Sequence, residues 1–192
     1  MQYIKGIENY RNEHASAITL GKFDGLHLGH ELLIERVIWH KERDAVDSVV
    51  FAFDMTPLYQ KKKIEYSCLL SNAEKAKRLD GRVDYFVDCP FVDSVAKIEA
   101  EAFIEKILVD TFHARYVVIG TDFRFGHNRR GDAGLLQKYS KIYGYEVEVI
   151  EKKQYQGREI SSTYIKEELK KGNLALVDVL LGYSYEKFKQ GI

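Results

Sequence analysis

This sequence has few cysteines and no net charge. Each of these features excludes a class of protein. Cys68 and Cys89 are the only cysteines, and neither lies in a CxxC pair or at a metal-ligand spacing. We therefore expect two reduced thiols in a cytoplasmic protein rather than a disulfide or a redox site. Lys plus Arg and Asp plus Glu both number 29, so the global positive charge used in non-specific nucleic-acid binding is missing. We expect no nucleic-acid partner.

Long apolar runs are also absent. Residues 1–14 alternate charged and polar side chains, which leaves no apolar segment of a signal peptide. No later run approaches the roughly 20 apolar residues that span a bilayer, so we expect no membrane partner. What the chain does contain is 45% hydrophobic and 12% aromatic residues, enough for a core, in 192 residues that fit one ordinary domain.

Short apolar runs alternate with helical patterns along the chain. The runs are rich in β-branched and aromatic residues, as is typical of parallel strands that are covered on both faces. They occupy residues 17–23, 48–53, 84–88, 115–119 and 145–150. Apolar residues between them recur at three- and four-residue spacing, which predicts crossover helices. The succession predicts an α/β fold, with a doubly wound, mostly parallel five-stranded sheet and helices on both faces.

Capping residues predict where several helices begin. Ser71 and Glu74 form a capping box, which predicts a helix that continues to Leu79. Three further helices are expected to begin at single caps and to end before a glycine. The caps are Asp132, Ser161 or Ser162, and Asn173, and the glycines are Gly144, Gly172 and Gly182. The last two of these helices form a C-terminal pair.

The first predicted strand ends in a turn with three glycines that leads into a helix. Gly21, Gly25 and Gly29 allow tight turns and close approach of a ligand, and the N–H groups of a helix start favour an anion. His27 and His30 share a face of the first helical turn, from which both rings can donate to one phosphate. Alternatively, one histidine packs in the core and the other caps the helix. The combination of turn, histidines and helix start favours phosphate binding.

This turn resembles the signature of the HxGH nucleotidyltransferase superfamily. Its Phe-Asp-Gly-x-His version is most similar to the FMN adenylyltransferase module of prokaryotic FAD synthetases. The matching residues are Gly21, Phe23, Asp24, Gly25, His27, Gly29 and His30. Residues 118–126, followed by Gly131 and Asp132, resemble a second motif of that module, and residues 160–166 and 180–185 resemble a third. The resemblance therefore covers nearly the whole chain in order.

The resemblance implies an enzyme that transfers AMP from ATP to FMN, giving FAD and pyrophosphate, with Mg²⁺ on the triphosphate. It implies catalytic roles for His27, His30 and Lys166, and no metal ligands in the protein. The implied ATP-binding residues are Gly21, Lys22, Phe23, Asp24, Gly25, Gly29, Ser161, Ser162 and Thr163. The implied flavin-binding residues are Asp122, Phe123, Arg124 and Phe125.

Physical reasoning supports these roles, and each also has a structural alternative. Residues 161–163 offer hydroxyls and backbone donors at a helix start, where capping alone would also explain them. Lys166 lies one turn further on, near the same phosphates or on a solvated face. Phe123 and Phe125 either stack on a flat heterocycle or turn inward as core, and Asp122 can accept from a ring N–H or a sugar hydroxyl.

Two segments depart from the family pattern. Residues 53–57 read Phe-Asp-Met-Thr-Pro, where family members usually read Phe-x-Pro-His-Pro, so Met55 and Thr56 replace a proline and a histidine. Lys166 replaces an arginine, exchanging a bidentate phosphate clamp for a point charge. Two alternatives therefore stay open: another HxGH nucleotidyltransferase that acts on a different phosphate compound, and a catalytically weak flavin- or nucleotide-binding homologue.

The resemblance also sets the expected domain limits. Residues 1–185 are expected to form the nucleotidyltransferase domain, and residues 186–192 a C-terminal tail. The riboflavin kinase domain that follows in bifunctional relatives is not expected in this chain. The expected partners are small-molecule nucleotides and flavins, and the expected state is a monomer or a weak homo-oligomer.

Overall fold

One parallel sheet forms the centre of the computed structural model, which describes residues 1–65 and 67–190. Its six strands are β1 (Gln2–Lys5), β2 (Ser16–Gly21), β3 (Asp47–Asp54), β4 (Tyr85–Pro90), β5 (Ala114–Gly120) and β6 (Glu146–Ile150). The strand order is β1-β4-β3-β2-β5-β6, and every neighbouring pair is parallel. The α/β class and the parallel sheet are confirmed, whereas the predicted number of five strands is wrong by one.

The strand missing from the prediction is β1, at the edge of the sheet beside β4. It pairs in register with the start of β4, with Gln2 opposite Tyr85. Three of its four residues are exposed and none is buried, so it lacks the apolar run that marks the other strands. A short edge strand with polar residues needs only one neighbour, and its pattern therefore carries little signal.

Helices cover both faces of the sheet and follow most of its strands. They are α1 (Leu28–Asp44), α2 (Thr56–Lys62), α3 (Asn72–Leu79), α4 (Asp93–Ala96), α5 (Ala100–Ala102) with a π-helical continuation (Phe103–Val109), and α6 (Ala133–Tyr143). After β6 come an antiparallel hairpin of β7 (Gln154–Tyr155) and β8 (Arg158–Glu159), and then α7 (Ser162–Lys170), α8 (Leu174–Leu181) and α9 (Tyr185–Gln190). No helix in the described part of the chain is long and apolar enough to cross a membrane.

The predicted capping box is present at the start of α3. The Glu74 N–H donates to Ser71 Oγ at 3.3 Å, and the Ser71 N–H donates to the Glu74 carboxylate at 2.7 Å. Asp132 caps α6 as predicted, and Gly144 after that helix is left-handed. The predicted helix starts at both positions are therefore confirmed.

For the C-terminal helices α7 and α8, the structure shows which of the predicted N-caps are formed. Ser161 is the N-cap of α7, where its side chain accepts from the Tyr164 N–H at 3.2 Å. Asn173 lies at the N-cap position of α8, but the prediction that its side chain caps this helix is wrong. Its amide instead donates to the Glu168 carboxylate at 3.0 Å, because Glu168 at the end of α7 lies within reach. Of the predicted tail, residues 186–190 belong to α9, and residues 191–192 lie outside the described residues.

Buried side chains form one cluster on each face of the sheet. Neighbouring residues of a strand alternate between them, so that Ala17 packs under α1 and Ile18 packs on the other face. A third cluster joins α7 and α8. Both cysteines are free, as predicted; Cys68 is exposed, and burial raises the pKa of Cys89 to about 12.

Candidate active site

A cavity of about 670 Å³ opens at the carboxyl ends of the sheet strands. Gly21 at the end of β2 and Gly120 at the end of β5 both line it. From β2 the chain moves to β3 and β4 on one side, whereas β5 and β6 lie on the other side. The cavity therefore lies at the point where the strand order reverses, which is the usual ligand site of an open α/β sheet.

Two helix starts meet at one end of this cavity. The lining residues from the start of α1 are His27, Gly29 and His30, and those from the start of α7 are Ser161, Ser162 and Thr163. The two starts approach closely at Gly29: a Cβ there would lie 3.1 Å from Cε1 of His27 and 3.5 Å from the carbonyl oxygen of Ile160. The positive ends of two helices thus converge on one place, which favours an anion with several charges.

The turn between β2 and α1 holds backbone conformations that side chains usually avoid. Phe23 and Leu26 have φ values of 49° and 43°, and both are fully buried, so packing maintains them. Gly25 has a φ of 87°, and a Cβ there would lie 2.6 Å from Leu69 Cδ1. The Gly25 carbonyl accepts from the Tyr183 hydroxyl at 2.8 Å, so the C-terminal segment also supports this turn.

The two predicted histidines are stacked, with ring centroids 3.7 Å apart and planes at 18°. Nδ1 of His27 accepts from the Gly29 N–H at 3.2 Å, so in the neutral ring the proton lies on Nε2. His27 therefore does cap the helix, and the same contact fixes Nε2–H as a donor. The His30 ring lies against Phe23 with a centroid distance of 5.1 Å, and its Nδ1 is buried without a hydrogen-bond partner among the described residues.

Burial holds both imidazoles in the neutral form. It lowers the pKa of His27 to about 4, an effect that the Asp24 carboxylate partly offsets. Burial, and then repulsion from His27 and Lys75, lowers the pKa of His30 well below its ordinary value. Near pH 7 the two rings can therefore act as neutral hydrogen-bond donors toward a phosphate.

Asp24 and Lys166 form an ion pair beside the cavity. The Asp24 carboxylate is 5% exposed and accepts from Lys166 Nζ at 2.5 Å and from the Leu69 N–H at 2.7 Å. The Ser162 hydroxyl donates to the Asp24 carbonyl at 3.2 Å. These contacts fasten α7 to the turn before α1. Asp24, Gly25 and Lys166 are not among the described residues that line the cavity, whereas the other predicted site residues are.

The predicted flavin-binding aromatics lie in the turn after β5. Phe125 is 4% exposed and packs on Phe103 with a centroid distance of 5.4 Å. Phe123 is partly buried and stacks on Phe125 at 5.6 Å with planes at 17°. Phe125 is therefore part of the core, as the structural alternative has it, and both rings also contribute to the cavity wall.

Charged side chains along the cavity have an excess of positive charge. The basic lining residues are Lys22, Arg124, Arg129, Lys152 and Lys153, and the acidic ones are Asp122 and Glu151. Lys152 pairs with the exposed Asp122 at 2.9 Å, and the Arg124 guanidinium donates to the Phe123 carbonyl at 2.8 Å. Although the chain has no net charge, its cavity is thus suited to an anion.

An apolar wall of the cavity was not predicted from the sequence. Its side chains are Phe53, Met55, Leu58, Phe91, Val95 and Phe103. Phe53 contacts Phe91 and Phe103, with centroid distances of 5.7 and 6.4 Å. This wall suits a flat aromatic ring, and together with the helix starts it makes a cavity with one apolar and one anion-binding part.

The described residues, 1–65 and 67–190, contain no cluster of side chains that is typical of a metal site. No group of three or more His, Cys, Asp or Glu side chains there could hold a metal ion. Mg²⁺ commonly takes most of its ligands from substrate phosphates and water. The carboxylates that line the cavity, Asp122 and Glu151, are compatible with that mode of binding.

Comparison with known proteins decides the family. Residues 9–164 match the model of the family described as FAD synthetase. The chain belongs to the FAD synthetase family. This confirms the resemblance on which the sequence prediction depends.

Relatives in the FAD synthetase family match nearly the whole chain. The bifunctional riboflavin kinase/FMN adenylyltransferase of Haemophilus influenzae is 34% identical over 191 residues, which cover 98% of this chain and 62% of that protein. The protein of that name from Escherichia coli (strain K12) is 32% identical over 189 residues, covering 96% of this chain and 60% of that protein. The chain thus spans about three fifths of the length of these relatives.

A solved structure has the same fold as this FAD synthetase family member. It is the crystal structure described as a macrolide-efflux protein from Streptococcus pneumoniae, with a TM-score of 0.83 and 25% identity. The match covers 95% of this chain and 62% of that chain.

Both departures from the FAD synthetase pattern lie at or beside the site. Met55 is 8% exposed and forms part of the apolar wall. Lys166 is directed to Asp24, and a single ammonium can make this contact without the planar fork of an arginine.

We expect acid to destabilise this FAD synthetase family member through its neutral histidines. An unfolded histidine has a pKa of about 6.5, so the unfolded state binds more protons than the folded state as the pH falls below that value. The stability that His27 contributes is complete above the unfolded pKa and is lost as the pH falls toward its folded pKa of about 4. For His27 alone the free energy of unfolding should fall by roughly 2 kcal/mol between pH of about 7.5 and about 5.

Urea unfolding at the two pH values measures this effect. His27→Gln is the matched variant, because glutamine keeps a polar side chain and does not titrate in this range. The loss of stability on acidification should be smaller in this variant than in the parent protein. An unchanged loss would mean that other groups cause the acid sensitivity.

Proposed function

We propose that this chain transfers AMP from ATP to FMN and produces FAD and pyrophosphate. The observation that carries the proposal is the convergence of the α1 and α7 starts, with His27 and His30, at one end of a cavity that also has an aromatic wall. A polyphosphate and a flat ring system can bind together in such a cavity. Membership of the FAD synthetase family and the names of the relatives support these two substrates.

In the proposed reaction an oxygen of the FMN phosphate attacks the α-phosphorus of ATP. The new phosphoanhydride bond forms there while the bond to the β-phosphate oxygen breaks, and pyrophosphate leaves. No covalent nucleophile of the protein is required, so catalysis consists of positioning and of stabilising charge. Mg²⁺, when bound to the triphosphate, would screen its negative charge.

Each part of the cavity has a role in this proposal. His27 Nε2–H and the His30 ring donate to the oxygens of the transferred phosphoryl group. Ser161, Ser162 and Thr163 at the start of α7 hold the leaving β- and γ-phosphates. Lys166 places a positive charge close to them and, through Asp24, holds the turn before α1.

The flavin and the adenine occupy the remainder of the cavity in this proposal. The isoalloxazine ring stacks against the apolar wall around Phe53 and against Phe123, which also lines the cavity. Asp122 and Arg124 offer polar contacts at the edge of that ring or of the ribose. Residues 1–185 act as one adenylyltransferase domain, whose partners are nucleotides and flavins.

The reaction is tested by mass spectrometry of the protein incubated with ATP, Mg²⁺ and either FMN or riboflavin. We expect FAD and pyrophosphate with FMN and no product with riboflavin, because riboflavin lacks the attacking phosphate. A parallel panel of other phosphate compounds tests for a different acceptor. Absence of FAD at high protein concentration would contradict the proposed reaction.

A catalytically weak nucleotide-binding protein is the second candidate. Met55 in the apolar wall and Lys166 in place of an arginine favour it, since both alter the site itself. Calorimetry distinguishes the two candidates. Tight binding of ATP and FMN without release of pyrophosphate would support the second.

A further inference from the structure

A series of hydrogen-bonded polar side chains, of which Lys75 and Asp88 are buried, lies under the turn between β2 and α1. Lys75 of α3 is 3% exposed, and its ammonium donates to the carbonyl oxygen of Lys22 and to Oδ1 of Asn72, both at 3.0 Å. The Asn72 amide donates to Asp88 Oδ1 at 2.9 Å, and Asp88 Oδ2 accepts from the Tyr3 hydroxyl at 2.9 Å. The series therefore joins the edge strand β1 to the backbone of the turn.

Lys75 is an unusual residue for a buried position, because its hydrogen bonds go to two neutral oxygens. The carboxylate of Asp24 is held by Lys166, and that of Asp88 is held by Asn72 and Tyr3. Burial consequently lowers the pKa of Lys75, and the charges of Asp24 and Asp88 offset this only in part. An apolar side chain of similar length would avoid the cost of desolvating a charge. Stability of the fold alone therefore does not explain a lysine here.

The Lys22 carbonyl connects this buried charge to the cavity. Lys22 directly follows β2, lines the cavity and precedes the positive-φ residue Phe23. Fixing its carbonyl fixes the beginning of the turn that ends at His27. The Lys75 charge is also one of the causes that lower the pKa of His30, which agrees with a position close to the anion-binding end.

We propose that Lys75 is a positioning residue for ATP: by holding the Lys22 carbonyl, it keeps the turn before α1 in the conformation that presents His27 and the helix start to the triphosphate. This inference rests on the proposed ATP site. The ammonium does not touch the nucleotide; it acts through the backbone and places a positive charge beneath the anion.

The test measures ATP and FMN binding separately, with Lys75→Met as the variant. Lys77→Met is the matched control, because Lys77 lies on the same helix, is exposed and loses the same charge. By calorimetry with Mg²⁺ and without FMN, we expect Lys75→Met to weaken ATP binding by about tenfold or more, as loss of a charged hydrogen bond predicts. FMN binding, followed by quenching of flavin fluorescence, should stay within about twofold of the parent in both variants.

A second variant keeps the test decisive if Lys75→Met does not fold. Asn72→Ala removes one acceptor of the ammonium and leaves its charge, so we expect a smaller loss of ATP affinity, about threefold, with FMN binding unchanged. A folded Lys75→Met or Asn72→Ala protein with parental ATP affinity would overturn the proposal. Equal losses of ATP and FMN affinity would also overturn it, because they would indicate a general structural defect.

The proposed reaction and the role of Lys75 can fail independently. If the parent protein binds ATP but forms no FAD, the reaction is wrong, and the ATP affinities of the variants still decide the role of Lys75. If FAD forms and Lys75→Met binds ATP normally, only the role of Lys75 is wrong. A parent protein that does not bind ATP would contradict both.

Discussion

His30→Ala is expected to slow FAD formation by at least about 100-fold, the usual cost of removing one donor to a developing oxyanion. The His30 ring lines the cavity and stacks on His27 at 3.7 Å, where it can share one phosphate with that ring. Its Nδ1 has no hydrogen-bond partner among the described residues, so the substitution breaks no buried bond at that atom. Initial rates of FAD formation at saturating ATP and FMN measure the effect.

A second histidine in the same helix provides the control for His30. His40 is 1% exposed, stacks on Tyr116 at 3.7 Å and pairs with Glu148, and it is not among the described residues that line the cavity. His40→Ala should lower stability, yet its rate per folded molecule should stay within about twofold of the parent. A rate for His30→Ala close to that of His40→Ala would contradict the proposed role of His30.

Asp24→Ala is expected to lower the free energy of unfolding by about 2–3 kcal/mol, because it removes the buried member of an ion pair and leaves the Leu69 N–H without its acceptor. Its carboxylate is the common acceptor for Lys166 and for the Leu69 N–H, so both donors lose their partner. The contact between α7 and the turn before α1 also weakens. Chemical denaturation of the variant and the parent measures the difference.

An exposed carboxylate of the same site serves as the comparison. Asp122 pairs with Lys152 at 2.9 Å, but its side chain is 71% exposed. Asp122→Ala should therefore cost less than about 1 kcal/mol, as exposed ion pairs usually do. Similar small losses in Asp122→Ala and Asp24→Ala would show that the pair of Asp24 and Lys166 does not fasten α7 to the turn.

The parts of the site that are encoded locally could be predicted from the sequence. The strand, glycine turn and helix start around Gly21 to His30 follow one another within a few residues, so their geometry is largely determined by local backbone preferences. The same holds for Ser161 at the start of α7 and for the capping box at Ser71. In each case a short segment contains both the donor and the acceptor, or both the turn and its glycine.

Features that depend on distant contacts could not be predicted in this way. The apolar wall combines Phe53 with Phe91 and Phe103, which come together only when β3 and β4 pair. Lys75 reads as an ordinary surface lysine in a short helix, and only the packing of α3 under the turn buries it. Strand β1 could not be predicted because its own side chains are mostly exposed and show no apolar pattern; it forms only by pairing with β4.

The close approach of Gly29 to Ile160 has a consequence for biosynthesis. The two residues are far apart along the chain, and the last sheet strand ends at Ile150, before Ser161 is reached. On the ribosome, the nascent polypeptide can therefore assemble its six-stranded parallel sheet before the α7 part of the proposed ATP site has left the exit tunnel. In the proposed mode of binding, which uses the starts of both α1 and α7, ATP stabilises the chain only at a late stage of its folding.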